Sequence, residues 1–257
     1  MRELREIFQY REMILLLVRR DLRVRYKRSF LGFAWTFLNP LLQLLVYTVV
    51  FSVIMRAGVE RYYLFLFVAL IPWMAMAGSV ANGSTCITTQ AGLVTKIYFP
   101  RRVLPITAVT TNFVNMALCM LVVLAVCACT VGLRLSVLWY LIPAFFLEYL
   151  LALGIALLVS GLTVYFRDLE YILSILTMAW QFLSPVMYSV DMVPENLRPL
   201  FYLNPMTSIL VCFRAVLYGK TAPRLSDLLL ALGAGLFFLL LGWYVFGRLE
   251  KRFAEEL

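Results

Sequence analysis

Long apolar stretches separated by short polar segments recur along nearly the whole chain. The first stretch, residues 32–55, contains no charged side chain. At about 1.5 Å per residue a helix over it reaches roughly 36 Å, more than a hydrocarbon core of about 30 Å. The stretches predict six transmembrane helices, at about 32–55, 62–83, 103–131, 138–165, 171–189 and 226–247. We therefore expect an all-α integral membrane protein in which residues 1–257 form one membrane domain, with a six-span bundle over 32–247.

The two ends of the chain have a different pattern. In residues 1–31, apolar side chains such as Met13, Ile14, Leu17 and Val18 recur near helical spacing, with Arg and Glu between them. This pattern is typical of an amphipathic helix that lies in the membrane interface. Residues 248–257 are charged and are predicted to form a tail.

Basic side chains are distributed unevenly between the segments that connect the spans. Sixteen lysines and arginines fall in the predicted cytoplasmic segments and seven in the predicted outer segments. Because cytoplasmic loops are enriched in Lys and Arg, this bias predicts a multi-pass protein with both termini in the cytoplasm. The net charge of +9 is then explained by topology and by anionic membrane lipids, so we do not expect a nucleic-acid partner.

Two connecting segments are predicted to contain short helices. Residues 84–102 form a cytoplasmic connection with a short helix that ends near Pro100. Residues 190–224 are too charged and too rich in proline for a simple span. They predict one short helix from Pro194–Glu195 and a second from Asn204–Pro205, where Asn is the N-cap and Pro the first helical residue. The second piece is too short to cross the membrane and is predicted to be re-entrant or interfacial.

Polar side chains recur at helical spacing within three of the predicted spans. They are Thr36, Asn39, Gln43 and Tyr47 in the first, Thr111, Asn115 and Cys119 in the third, and Thr177, Gln181, Ser184 and Tyr188 in the fifth. Such faces avoid lipid because polar groups in hydrocarbon cost free energy. They either hold helices together or line a path for a hydroxyl-rich substrate, in which nearby aromatic rings such as Phe33, Phe37 and Trp180 would stack on sugar rings. Glu148, the one carboxylate well inside a span, has a structural or a functional role.

The sequence offers little for a resident cofactor. Histidine is absent, and the five cysteines contain no CxxC pair, which disfavours a metal site. Residues 219–221, Gly-Lys-Thr, resemble the end of a phosphate-binding loop, but Arg214 stands where that motif needs its first glycine. We therefore expect no catalytic residue, metal or cofactor in this chain.

Four segments, in this order, carry a resemblance to a known family. They read YKRSFLGFAWTFLNPLLQLLVYTVVF, LVTKIYFPRRVLPI, VYFRDLEYI and FLSPVMYSVDMVPENLRPLFYLNPMTSILVCFRAVLYG. With the basic N-terminal helix they resemble the polysaccharide-export branch of the type-2 ABC exporter permeases, which handles O-antigen, teichoic acid and related polymers. The resemblance covers nearly all of the chain, and its specificity comes from the order and spacing of the segments.

The resemblance implies a transport subunit in the cytoplasmic (inner) membrane of a bacterium. It implies a homodimer paired with two copies of a separate ATPase subunit, which supplies ATP hydrolysis and holds ATP and Mg²⁺. It places a coupling helix that contacts the ATPase at residues 91–98, with Val94, Lys96, Ile97 and Tyr98. It also implies an outer gate shaped by the helices at 194–218, with Pro194, Asn204, Pro205 and Arg214. A lipid-linked polysaccharide would thread through a tunnel that the polar faces of the first and fifth spans help to line.

Two alternatives remain open at this point. One is a permease of the same superfamily for drugs or small lipids, which a neighbourhood of glycosyltransferase genes would disfavour. The other is a membrane-embedded polyprenyl-phosphate sugar transferase. That chemistry needs clustered acids to hold a divalent cation, and Asp168 and Glu170 form the one close acidic pair at a membrane edge.

Overall fold

The computed structural model of the chain describes residues 2–26, 29–55 and 58–256, and every regular element within them is helical. In chain order the α-helices are α1 (Arg2–Gln9), α2 (Arg11–Tyr26), α3 (Trp35–Thr48), α4 (Tyr62–Thr85), α5 (Ala91–Lys96), α6 (Val103–Thr130), α7 (Leu135–Leu138), α8 (Leu141–Tyr165), α9 (Leu169–Leu183), α10 (Arg198–Leu203), α11 (Pro205–Leu217), α12 (Leu225–Leu249) and α13 (Phe253–Glu256). Short 3₁₀ turns precede α3 and join α12 to α13, and a π-helical turn at Val49–Ile54 extends α3.

Five helical segments are long and apolar enough to cross a membrane. They are Gly32–Ile54, Tyr62–Thr85, Val103–Thr130, Leu135–Tyr165 and Leu225–Arg252. The prediction of an all-α, multi-pass membrane protein is therefore confirmed. The shorter apolar helices α9 and α11 lie between the fourth and the last of these segments.

The predicted fifth span, residues 171–189, ends six residues too late. Its helix α9 ends at Leu183, and at 15 residues it reaches about 22 Å, short of a hydrocarbon core of about 30 Å. The cause is Pro185: the residue before a proline is pushed out of the helical region, and Ser184 accordingly has φ −102° and ψ 144°.

The first predicted short helix of the 190–224 segment is also misplaced. Residues 195–197 form a turn, and α10 begins at Arg198 rather than at Pro194–Glu195. A helix from Glu195 would leave the carbonyl of Glu195 facing Pro199, which has no N–H to donate. Starting at Arg198 puts that proline in the first turn, where it is tolerated. The second short helix begins where predicted: Asn204 caps α11, and its side chain accepts a hydrogen bond from the Met206 N–H at 3.1 Å.

The N-terminal amphipathic segment forms two helices instead of one. A turn at Tyr10 separates α1 from α2. Leu17 and Val18 are buried, and α2 packs on α6, whereas Leu15 and Leu16 are more than half exposed. The predicted apolar face of α2 is therefore confirmed.

The core of the bundle is built from α4, α6, α8, α11 and α12, with α4 at its centre. The α8–α12 contact is the most extensive. Gly154 on α8 lies directly against the α12 backbone at Phe238–Leu239, and Gly242 on α12 lies against the Gly154 carbonyl. A side chain at either position would collide with backbone atoms, so glycine permits this close approach of the two helices.

Pro40 removes one backbone hydrogen bond from α3. It lies six residues into the helix and cannot donate to the carbonyl of Thr36. The Cys119 thiol on α6 lies 3.3 Å from that oxygen and supplies the missing donor. Cys119 of the third-span stripe thus joins α3 to α6 by a hydrogen bond.

Candidate functional site

The irregular segment after α9, residues 184–189, lies inside the protein. Ser184 is fully buried, and Pro185, Val186 and Met187 are also buried. The prediction that Ser184 and Tyr188 share one helical face with Thr177 and Gln181 is wrong, because the helix has ended before either residue. Non-helical backbone at such depth is tolerated where protein groups satisfy its polar atoms.

Each carbonyl from residue 183 to residue 188 does accept a hydrogen bond. The donors are Asn204 Nδ2 to Leu183 (3.2 Å), the Val186 N–H to Ser184 (2.7 Å), the Arg214 guanidinium to Pro185 (2.5 Å), Val186 (2.6 Å) and Tyr188 (3.0 Å), and the Tyr62 hydroxyl to Met187 (2.8 Å). Arg214 contributes three of these bonds and also donates to the Phe65 carbonyl at 3.4 Å. Arg214 therefore satisfies backbone carbonyls that helical N–H groups satisfy elsewhere in the bundle.

The side chain of Asn204 makes a second set of hydrogen bonds to this segment. Its Oδ1 accepts from Trp180 Nε1 at 2.8 Å, and its Nδ2 donates to the Ser184 hydroxyl at 2.8 Å. The Trp180 ring meets Trp73 of α4 edge to face, with 5.4 Å between centroids. Asn204 thus joins the end of α9 to the start of α11. Of the predicted gate residues, Asn204, Pro205 and Arg214 lie in this cluster, whereas Pro194 is exposed on the turn before α10.

Two further hydrogen bonds connect the loops at the end of the bundle where Arg214 lies. The Tyr218 hydroxyl donates to the Glu60 carbonyl at 2.7 Å, and Lys220 donates to the Val131 carbonyl. Burial raises the pKa of the Tyr218 phenol, and the nearby Glu60 adds to the shift. The phenol therefore remains protonated and able to donate at neutral pH.

The polar faces of α3 and α9 touch at one pair of side chains. Gln181 Nε2 lies 3.5 Å from the Tyr47 hydroxyl, and Gln43 donates to Asn39 along α3 at 3.2 Å. Thr177 and Gln181 line a cavity of about 430 Å³ between α9 and α4, with Trp73. The structure therefore joins the two stripes at Tyr47 and Gln181, whereas Thr36 and Asn39 line a different cavity from Thr177.

A larger cavity, of about 530 Å³, lies between α3, α4 and α6. From the first-span stripe it receives Thr36 and Asn39, and from the third-span stripe Asn115 and Cys119. Thr111, the remaining member of the third-span stripe, does not line it and instead donates to the Thr107 carbonyl. Sequence reasoning missed Asn112, which does line it. The spacing of three and four residues between Asn112, Asn115 and Cys119 is the signal that could have identified the correct face.

The aromatic side chains predicted to stack on sugar rings differ in how exposed they are. Phe33 is 49% exposed and meets the half-buried Phe37 edge to face, 5.7 Å between centroids. Tyr188 packs edge to face on Phe201, and its hydroxyl donates to the Phe182 carbonyl. Trp180 and Tyr188 are thus held by packing and hydrogen bonds, whereas about half of the Phe33 side chain is exposed.

Glu148 lies in the first half of α8 and is fully buried. Neither of its carboxylate oxygens has a hydrogen-bond partner within the described part of the chain. Its neighbours on the same face, Ala152, Ala156 and Ser160, are also fully buried, and Ala156 lies against Gly83 of α4. The four-residue spacing therefore marks a close-packed face of α8.

At the other end of the bundle, the predicted coupling segment projects from the protein. The helix α5 ends at Lys96, and Ile97 is extended, so the predicted helix over 91–98 is shorter by two residues. Val94 is buried, whereas Lys96 is exposed and Ile97 and Tyr98 are 56% and 88% exposed. Val94 therefore anchors the segment, and the other three side chains form a free surface with an aromatic ring at its tip.

The C-terminal tail is folded against this segment. Arg102 pairs with Glu250 at 3.2 Å and lies over the Trp243 ring, and Arg101 donates to the Glu250 carbonyl. A hollow of about 550 Å³ separates the coupling segment from α1 and the tail. The three parts together form one continuous surface at the α5 end.

Comparisons with known proteins agree on one group. A family model described as ABC-2 type transporter matches residues 12–218. The chain is 35% identical over 261 residues to the O-antigen export system permease protein RfbA of Myxococcus xanthus, covering 100% of this chain and 99% of that protein. It is 30% identical to the protein of the same name in Klebsiella pneumoniae, covering 96% and 95%. It is 23% identical to the capsule polysaccharide export inner-membrane protein CtrC of Neisseria meningitidis, covering 91% and 90%.

Proposed function

The chain belongs to the ABC-2 type transporter family, and from this premise we propose that it is the membrane permease subunit of an ATP-driven exporter that moves a lipid-linked polysaccharide across the cytoplasmic membrane. The observation that carries the proposal is similarity over the full length to permeases named for O-antigen export. The similarity to a capsule polysaccharide export protein favours a polymer over a drug or a small lipid.

The polar faces of α3 and α9 are proposed to line the path of the polymer. A threading chain needs contacts that are numerous, weak and replaceable, because tight binding at one register would stall its movement. Uncharged hydroxyl and amide groups beside aromatic rings meet that demand. The contact between Tyr47 and Gln181 supports a shared path, with Phe33, Thr36, Phe37, Asn39 and Gln43 along the α3 side and Thr177 and Trp180 along the α9 side. Ser184 and Tyr188 would support the path from behind.

A separate ATPase subunit, which binds ATP and Mg²⁺, is proposed to dock at the α5 end. Lys96, Ile97 and Tyr98 are well placed for this contact, since a largely exposed aromatic ring on a connecting segment marks an interaction site. Movement of this segment would reach the membrane helices through Val94 and through the ion pair of Arg102 with Glu250.

A homodimer with two ATPase subunits is the proposed assembly, with both termini of each permease in the cytoplasm. The dimer is supported by α9, none of whose residues is buried in the single chain. Its exposed apolar side chains, which include Ile172, Ile175 and Leu176, would pack against the second copy. The region of Asn204, Pro205 and Arg214 would then form the outer gate, with Pro194 at its edge.

A deletion strain tests the proposed function. Loss of the chain should abolish surface polysaccharide while lipid-linked polymer accumulates on the cytoplasmic side of the membrane, and an ATPase subunit unable to hydrolyse ATP should give the same result. A strain that makes no polymer at all would indicate a biosynthetic enzyme, and normal surface polysaccharide would refute the proposal.

Coupling can be tested in the purified complex with the cognate ATPase subunit. Tyr98→Ala and Lys96→Glu should lower polymer-dependent ATP hydrolysis or weaken subunit association at least several-fold, with membrane insertion unchanged. Tyr63→Ala, at the opposite end of α4, is the matched control. Wild-type coupling in both variants would exclude this docking surface.

A further inference from the structure

The cavity of about 530 Å³ between α3, α4 and α6 has the chemistry of a ligand site rather than of a packing defect. We define the amide cavity by Trp35, Thr36, Asn39, Asn112 and Asn115. We propose that it binds an uncharged, hydroxyl-rich group, namely a sugar unit of the exported polymer. This inference rests on the proposed function and adds a binding site within each protomer to it.

Unpartnered polar groups in the cavity wall support this proposal. Thr36 is only 6% exposed, and its hydroxyl has no hydrogen-bond partner within residues 2–26, 29–55 and 58–256. Both polar atoms of the Asn115 amide are buried and likewise have no partner there. Leaving such a group unsatisfied costs about 1–3 kcal/mol. Two residues of the cavity wall therefore carry three unpaired polar atoms, which rotation of the side chains toward the cavity would place beside a polar ligand.

The absence of charged side chains among the described lining residues indicates the class of ligand. Among the described residues that line the cavity, none is acidic or basic. A phosphate or an ammonium group would lie there without a counter-charge, at a high desolvation cost. Amide and hydroxyl groups both donate and accept hydrogen bonds, as the hydroxyls of a sugar do. The Trp35 side chain, 40% exposed, adds a ring on which a sugar can stack.

The cavity is also held open by its surroundings. Asn112 donates to the Ala108 carbonyl at 2.9 Å and accepts from Asn82 Nδ2 at 3.2 Å, which fixes its amide. A Cβ atom at Gly78 would lie 2.8 Å from Asn112 Oδ1, so glycine at this position leaves room for the amide. The volume of about 530 Å³ lies within the range of small-molecule sites. The site is therefore built by α4 as well as by the two polar stripes.

Photolabelling of the full chain in lipid nanodiscs tests the proposal. The probes are an octyl glucoside and an octyl phosphocholine that carry the same diazirine at the head of the alkyl chain. The glucoside should label the peptides containing Thr36 and Asn115 saturably, with competition by unlabelled octyl glucoside but not by octyl phosphocholine. Equal labelling by both probes would mean that the cavity holds alkyl chains, and no saturable labelling would mean that it holds water; either result overturns the proposal.

Substitutions then identify the groups responsible. Thr36→Val and Asn115→Leu should each weaken glucoside labelling about three- to tenfold, as expected for loss of a neutral hydrogen bond. Ala75→Leu, which fills the cavity, should abolish it. The matched control is Thr107→Val, a buried threonine whose hydroxyl bonds its own helix outside the cavity. Unchanged labelling in the cavity variants would overturn the assignment. If a variant does not fold, the competition measured on the wild-type chain still decides.

An export assay separates this inference from the proposed function. Cavity variants that lose labelling should also export polymer more slowly than the Thr107→Val control. Variants that lose labelling but export at the wild-type rate would overturn the link between cavity and polymer and leave the exporter assignment intact. A wild-type complex that exports no polymer would instead refute the exporter assignment, whatever the labelling shows.

Discussion

At the scale of single residues, Arg214 is the most consequential side chain. It is 8% exposed, and its guanidinium carbon lies 3.7 Å from the centre of the Phe65 ring. Its hydrogen bonds go to four backbone carbonyls rather than to a carboxylate. Arginine suits this role because its planar fork presents five donors in fixed directions, and stacking on an aromatic ring stabilises the charge. The irregular segment after α9 depends on it.

We predict that Arg214→Gln destabilises the protein by about 3 kcal/mol or more, because several buried carbonyls lose their donors at once. The thermal unfolding midpoint of the chain in nanodiscs measures this. The control is Arg134→Gln, an exposed arginine at the same end of the bundle, which should change the midpoint little. Equal midpoints for the two variants would show that Arg214 does not hold the segment in place.

At the scale of elements, the closeness of α8 and α12 sets the packing of the bundle. Gly154 and Gly242 face each other across the contact, and Gly235 lies near the α8 backbone at Leu147 and Leu151. Apolar side chains gain little by leaving lipid for a helix interface, so membrane helices associate through close backbone approach and van der Waals contact. Small residues at these positions are therefore a requirement of the fold.

Matched glycine substitutions on α12 test this. Gly242→Leu should force the two helices apart and lower the yield of folded protein and its unfolding midpoint, by about 2 kcal/mol or more as for an overpacked core. Gly233→Leu lies on the same helix with no atom within 4 Å of the added Cβ and should be tolerated. Similar losses in both variants would mean that glycine matters for backbone freedom and not for the contact.

At the scale of the whole molecule, α4 organises the proposed path. It contacts both α3 and α9, and Gly78 lies in the walls of both cavities. The two ends of the bundle differ in kind. One carries the exposed coupling segment with the folded tail, and the other carries the buried segment held by Asn204 and Arg214. This polarity agrees with the proposed docking of an ATPase subunit at the α5 end.

Cysteine labelling along α3 tests the position of the path in the assembled complex. After replacement of the exposed Cys129 by Ser, Gln43→Cys should react with a membrane-impermeant thiol reagent at least several-fold faster than Leu45→Cys. Leu45 is 60% exposed in the single chain, but it lies off the polar face, so water should not reach it in the membrane. Equal and negligible reaction at both positions would mean that the polar face only holds helices together.

Much of the architecture could be predicted because the membrane makes apolar length a direct signal. The ends of α4, α6 and α8 fall within a few residues of their predicted places, as does the start of α11 at Asn204–Pro205. The errors have local causes that the sequence also contains. Pro185 ends α9 early, and Pro199 delays α10. In both cases the restriction that a proline places on the backbone decides where the helix ends or begins.

By itself, the sequence determined the helical membrane class, the main spans and the polar stripes, because burial in lipid constrains composition and periodicity along each segment. Which stripes face each other was decided only by the tertiary structure, since a helical period fixes a face but not its neighbour. The amide cavity needs α4 to place Gly78 beside Asn112, and the segment after α9 needs Arg214 from a helix about 30 residues further along the chain. Such contacts arise from the packing of whole helices, and no local pattern specifies them.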